Sequence, residues 1–170
     1  MPHTHTEMIM VSFCLLFYLY FRNWPTGRSI FHDPGRDLVV WVNKSDHLVV
    51  KSLDKRGNVR RAASRLSSFL SALQTQLEFN VHPEYGYLSV NPGLAGTGLV
   101  ASVTARLPNL AKNFRRLRRL CDSHDIRIRR QKHIIFELTS VRTHGVSEFQ
   151  TVAAFFNGVR EIAEFEKGLE

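Results

Sequence analysis

With 170 residues, 44% of them hydrophobic and 22% charged, the chain is long enough to bury the core of one domain, and its composition excludes a disordered or fibrous protein. A formal charge of +8 and a pI near 10 imply an anionic partner class without choosing among nucleotides, acidic proteins, lipid headgroups and nucleic acid. Two isolated cysteines, Cys14 and Cys121, exclude a disulfide framework and fit a reducing, intracellular setting.

The chain opens with a segment unlike the rest. Met8 to Phe21 carries no charged side chain. It is short for a membrane span, and it lacks the preceding cations and the small-residue cleavage site of a secretory signal. Three readings stand open for residues 1–21: a remnant or artefact ahead of a domain fragment, a membrane anchor, or a buried core segment. His3 and His5 are too sparse for a metal site and read as an exposed tail.

From Arg22 onward the pattern is regular. Asp33-Pro34-Gly35-Arg36-Asp37 is a turn signal. Leu38 to Val42 and His47 to Leu53 are β-rich runs around the polar Asn43-Lys44-Ser45-Asp46, which predicts a hairpin. After Asp54 to Asn58 the residues Val59, Ala62, Leu66, Phe69, Leu70, Leu73 and Leu77 recur at helical spacing. His82-Pro83 ends that helix, and strands are predicted over Tyr85 to Val90 and Leu99 to Arg106. A basic helix is predicted from Leu110 to Ser123, then strands over Ile126 to Arg130 and Ile134 to Thr139. The last helix, Ser147 to Leu169, opens with a capping box of Ser147 and Gln150. Its apolar stripe (Phe149, Val152, Ala153, Phe156, Val159, Ile162, Ala163, Phe165) is expected to be core. The whole reads as an α+β domain, a mostly antiparallel sheet flanked by helices.

Several stretches carry a family likeness. Trp24 to His32 (WPTGRSIFH), Leu38 to Leu48 (LVVWVNKSDHL), Gly86 to Val103 (GYLSVNPGLAGTGLVASV) and Val146 to Leu169 resemble, in order and spacing, segments of the phosphagen (ATP:guanido) kinases, nearest the arginine kinase branch. The likeness covers residues 22–170. It implies that family's catalytic-domain fold, MgATP or MgADP as co-substrate, and transfer of the γ-phosphoryl to a guanidino nitrogen. That chemistry is mainly positioning and electrostatics: arginines on the phosphates, carboxylates on the guanidinium.

Position by position, the same resemblance puts the chemistry in doubt. The family's guanidinium-gripping glutamate pair, the second member being the base, falls on Lys44 and Ser45; its reactive cysteine falls on Asn91; two phosphate-binding arginines fall on Val49 and Val100. A phosphate arginine is retained as Arg129, with Arg28 and Arg130 as further weak nucleotide contacts, and the loop after Arg129 is short. A positioned arginine on a transferring phosphoryl is worth roughly 10³–10⁵ in rate and a general base about 10²–10⁴. The resemblance therefore implies a kinase-like protein that has lost catalysis, with MgATP or MgADP held weakly or not at all, and it implies no metal site of the protein's own. Ordinary structural roles, aromatic core filling by Trp24 and Trp41 and satisfied hydrogen bonds at His32, His47 and Asp46 inside the sheet, account for what is kept.

Two alternatives accompany that reading. Residual phosphotransfer within a longer chain or complex is one. The other is a basic anion- or nucleic-acid-binding module, built on Lys112, Arg115, Arg116, Arg118 and Arg119 with Arg127, Arg129, Arg130 and Lys132 after them. No aromatic platform interleaves these cations and no known nucleic-acid motif is present, so a solvated helix face is the preferred account of them. Expected partners are a nucleotide and a second copy or full-length family member, in the cytoplasm, with membrane anchoring left open by residues 8–21.

Overall fold

The computed structural model describes residues 26–169; the hydrophobic run Met8 to Phe21 and Trp24 lie outside the described residues. The described residues up to Phe79 belong to one compact unit, and those from Asn80 to a second.

The first unit pairs three strands in the order β1-β2-β3: β1 Ser29–His32, β2 Leu38–Val42 and β3 Leu48–Ser52, followed by helix α1, Val59–Gln74. All pairings are antiparallel, with Ile30 opposite Trp41 and Trp41 opposite Val49. The first turn is closed by the Asp33 carboxylate, which accepts the Leu38 amide at 2.7 Å; that bond holds the half-buried Asp33 carboxyl below its usual range. Asn43, at φ +53, opens the hairpin turn, and its amide donates to the His47 carbonyl at 2.9 Å. Helix α1 begins at an Asn58 cap whose side chain accepts the Arg61 amide at 3.0 Å. It is joined to the sheet by Arg65, whose guanidinium donates to the carbonyls of Asp37 at 3.0 Å and Leu53 at 2.9 Å and pairs with the Asp37 carboxylate at 3.4 Å. Leu77 falls beyond the helix and is exposed. None of the described residues in this unit is fully buried.

The second unit has a short ribbon of β4 (Val81–His82) and β5 (Gly86–Tyr87), then an antiparallel sheet in the order β6-β8-β7. Its strands are β6 Ser102–Arg106, β7 Ile126–Lys132 and β8 Ile135–Ser140; helices α2 (Phe114–Asp122) and α3 (Glu148–Lys167) complete it. Period-two alternation sorts the sheet cleanly. Val103, Ala105, Ile126, Ile128, Phe136 and Leu138 join Leu117, Cys121, Phe155 and Ile162 from the helices in the core. Ser102, Thr104, Arg127, Arg129, Glu137 and Thr139 occupy the opposite face, Glu137 standing opposite both Thr104 and Arg129.

The fold class agrees with the sequence reading, and several elements differ from it. The strand expected over Tyr85 to Val90 shrinks to Gly86–Tyr87, because the chain there must meet the loop at Gly96. The Gly86 and Gly96 backbones touch so closely that a Cβ on Gly86 would lie 2.6 Å from the Gly96 carbonyl oxygen. The strand from Leu99 starts instead at Ser102, after a turn in which Thr97 Oγ1 accepts the Leu99 amide at 3.2 Å. The basic helix is two pieces, a 3₁₀ turn at Leu110–Asn113 and then α2, since Asn113 leaves helical geometry and caps the Arg116 amide at 3.2 Å.

The capping box of α3 is present as read, Ser147 Oγ accepting from Gln150 and Gln150 Oε1 from Ser147. Its buried face is only partly the expected one: Ile162 is in the core with Val159 and Phe165 packed against it, but the face is turned. Thr151, Phe155, Gly158, Ile162 and Glu166 are buried, whereas Phe149 is 81% and Phe156 48% exposed. The rotation has two visible causes. Gly158 lets the helix approach until a Cβ there would sit 2.8 Å from His124 Cβ and 2.9 Å from Ile126 Cδ1. Glu166 meanwhile points inward to accept the amides of Asn109 at 2.6 Å and Leu110 at 2.8 Å. His32 and His47, expected inside the sheet, are exposed.

Candidate active site

The residues nominated from the sequence are divided between the two units. Arg28, Lys44, Ser45 and Val49 belong to the first; Asn91, Val100, Arg129 and Arg130 belong to the second.

In the first unit the β2–β3 turn is tied to the strand that enters β1: Asn43 Nδ2 donates to the Gly27 carbonyl at 2.7 Å. This bond sets the Lys44-Ser45 turn beside the segment bearing Arg28. The Lys44 ammonium lies over the Trp41 ring, 4.6 Å from its centroid, and Ser45 is exposed. A cation on an aromatic face is attracted to its negative quadrupole; the same position could not attract a second cation. Val49 is half-buried in β3 opposite Trp41. The Trp41 Nε1 donor is buried without an acceptor among the described residues.

In the second unit, Asn91 is committed to its own loop. Its side chain caps the 3₁₀ turn Pro92–Leu94, accepting the Gly93 amide at 3.1 Å, while its amide donates to Ser89 Oγ at 3.1 Å. Thr143 and His144 hold that loop from the other side through the Gly93 carbonyl at 3.3 Å and the Pro92 carbonyl at 3.2 Å. Val100 is 41% exposed.

Arg129 and Arg130 are adjacent on β7 but point to opposite faces. Arg129, on the polar face, pairs through Nε with Glu137 Oε2 at 3.0 Å. Arg130 lies on the core side next to a register shift, its guanidinium stacked over Phe114 at 5.0 Å and Phe136 at 5.2 Å. The two therefore cannot clamp one phosphate. Glu137 was not among the residues nominated from the sequence; it becomes legible only when β7 and β8 are paired. A shallow depression of about 490 Å³ between α3 and the ends of β7 and β8, lined by His124, Asp125, Arg142, Gln150 and Asn157 among others, touches none of the nominated residues. Among the described residues no three His, Cys, Asp or Glu side chains gather to hold a metal ion.

Residues 2–169 match the ATP:guanido phosphotransferase, C-terminal catalytic domain. The chain belongs to this family. Arginine kinase of Artemia franciscana is 31% identical over 153 residues, covering 86% of this chain and 43% of that protein. The arginine kinase of Turbo cornutus is 35% identical over 158 residues, covering 88% and 44%. The chain thus spans less than half the length of these relatives. Among solved structures, the substrate-free duplicated taurocyamine kinase from Schistosoma mansoni superposes with a TM-score of 0.82 at 30% identity, covering 88% of this chain and 21% of that one. A lombricine kinase gives 0.79 at 25% identity, covering 87% and 44%. These ATP:guanido phosphotransferases share the antiparallel α+β architecture described above. The matched range includes residues 2–21, outside the described part.

Proposed function

We propose that this ATP:guanido phosphotransferase-family chain does not transfer phosphoryl groups to guanidino acceptors. The observation that carries the reading is Lys44, whose ammonium covers Trp41 at 4.6 Å at the position the family resemblance gives to a guanidinium-gripping carboxylate. A guanidinium brought there meets a like charge, and the adjacent Ser45 is too weak a base at neutral pH to take its proton.

The phosphate side supports the same reading. Valines at 49 and 100 offer no charge to a triphosphate. Arg129 already has Glu137 on its Nε, and Arg130 faces the core. Each unit keeps a single candidate phosphate contact, Arg28 in the first and Arg129 in the second, so MgATP or MgADP binding is weak. Described helices include none long and apolar enough to cross a membrane; a cytoplasmic protein is the reading that goes with the family.

The test is a phosphotransfer assay with MgATP and, in turn, arginine, taurocyamine and lombricine, the acceptors suggested by the names of the relatives. The expected result is no turnover above the protein-free rate. Turnover on any acceptor that disappears when Arg129 is replaced by Ala would overturn the proposal.

A second reading concerns partners. In the first unit the described sheet and helix residues are at most half-buried, and β1 is exposed throughout, which favours a second copy or a full-length family member as a covering partner. Light scattering during size-exclusion chromatography distinguishes a monomer from either assembly.

A further inference from the structure

Helix α2 is electrostatically unusual. Arg115, Arg116, Arg118 and Arg119 are all exposed, as is Lys112 in the preceding turn. Leu117 and Cys121 on the other side are fully buried, so the cations occupy one continuous outward arc. Lys112 stands three and four residues before Arg115 and Arg116, and these stand four and three before Arg119, spacings at which like charges repel. The first turn of the helix contains no acidic residue, and Arg115 and Arg116 sit there at the positive end of the helix dipole. Among the described residues only Arg118 of these has a carboxylate, Asp122 at 4.0 Å with both side chains largely exposed. Arg116 stacks on Phe165 at 4.2 Å. Arg115 and Arg119 have no carboxylate partner among the described residues.

The fold also sorts the longer basic run that the sequence shows. Arg127 and Arg129 point to the polar face of the sheet, away from α2. Arg130 turns to the α2 side and rests on Phe114. The concentrated patch is therefore the outer arc of α2 with Arg130 at its start, not the whole run.

We propose that this arc docks double-stranded nucleic acid through its phosphate backbone, with Lys112, Arg115, Arg116 and Arg119 as the contacting groups. Charge complementarity identifies the occupant. Successive turns of the helix present cations about 5.4 Å apart to a ligand whose charge is likewise repeated and dense. The exposed aromatic at the start of the arc, Phe114, is stacked on Phe136 and covered by the Arg130 guanidinium, so it offers no open face to unstacked bases, which disfavours a single strand. The arc also lacks the buried apolar anchor that a protein partner needs at the centre of an interface. The apolar side of α2 is spent in the core, which leaves nothing to insert into a bilayer. Binding is accordingly insensitive to base sequence, since backbone contacts carry no sequence information.

The test uses the full chain and a fluorescently labelled DNA duplex, followed by anisotropy across a salt series. The expected plot of log K against log salt falls with a slope of about −2 to −4, near −0.9 for each phosphate engaged. Arg115→Gln with Arg119→Gln lowers affinity by roughly tenfold or more at 0.1 M salt and flattens the slope by about two. Arg127→Gln removes the same kind of charge from the opposite side of the sheet and leaves binding unchanged. Absence of binding at low salt overturns the proposal. So does an equal loss from Arg127→Gln, which reduces the effect to net charge. Capture by anionic vesicles or a polyglutamate peptide without capture of the duplex overturns it as well.

Discussion

Glu166 offers the sharpest test of how the second unit is held together. Its carboxylate is 7% exposed and accepts the amides of Asn109 at 2.6 Å and Leu110 at 2.8 Å, one oxygen to each. These donors open the 3₁₀ turn that leads into α2, where Leu110 is fully buried and no water can replace a lost acceptor. Glu166→Gln keeps the shape and one acceptor but turns an amide NH₂ toward the other backbone donor. Hydrogen bonds to charged groups contribute about 1.5–3 kcal/mol each. The isosteric change removes one and weakens the other, so its expected cost is about 2–3 kcal/mol. Glu166→Ala strands both donors and should cost about 4 kcal/mol, somewhat less than the sum if the turn relaxes. Urea unfolding followed by circular dichroism measures this directly. With a slope of about 1–3 kcal/mol per molar, Glu166→Gln should lower the midpoint by on the order of 1 M and Glu166→Ala by more. A Gln variant that unfolds at the wild-type midpoint would refute the capping role and return Glu166 to the status of a buried residue of no special consequence.

Other consequences follow from the same packing. Gly158→Ala gains about 1 kcal/mol of helix propensity, but its methyl meets His124 Cβ at 2.8 Å and Ile126 Cδ1 at 2.9 Å; overpacking of about 1–3 kcal/mol wins, and the thermal midpoint should drop. Burial pushes the Cys121 thiol up to about 11 from an ordinary 9.0, with Asp122 adding to the effect, so iodoacetamide at pH 8 should leave Cys121 unlabelled until denaturant is added, as peptide mapping by mass spectrometry will show. Because the folded thiol holds its proton more tightly than the unfolded one, its contribution to stability is constant below about pH 9 and is lost as pH rises toward 11; urea midpoints across that range check the sign. Arg65→Ala deletes the bonds to the Asp37 and Leu53 carbonyls at a cost of about 1–3 kcal/mol, and hydrogen exchange should speed up in β2 and β3 before it does in the second unit.

Much of this fold was legible without coordinates wherever a local rule operates. The hairpin of β2 and β3 followed from two β-rich runs around Asn43 to Asp46, and Ser147 with Gln150 marked the start of α3. Loop chemistry was harder to read. Thr97, Gly98 and Asn113 shorten a strand and break a helix through side-chain caps and a positive φ, and apolar periodicity carries no trace of that. For the candidate site, the resemblance set the expectation that the residues at positions 44, 45, 49, 91 and 100 depart from the family's catalytic groups. It did not show where the remaining arginines point, because Arg129 and Arg130 are neighbours in the chain yet face opposite sides of β7.

Residue identities by themselves determined the family and the α+β class, since ordered motifs are properties of the chain as written, and the resemblance set the expectation that Lys44, Ser45, Val49 and Val100 stand where the family carries carboxylates and arginines. Tertiary structure decided which face of α3 is core, that Glu137 occupies Arg129, and that the cations of α2 form an arc separate from Arg127. Those outcomes depend on strand register and on backbone approach at Gly158, which arise only when segments distant in sequence pack together.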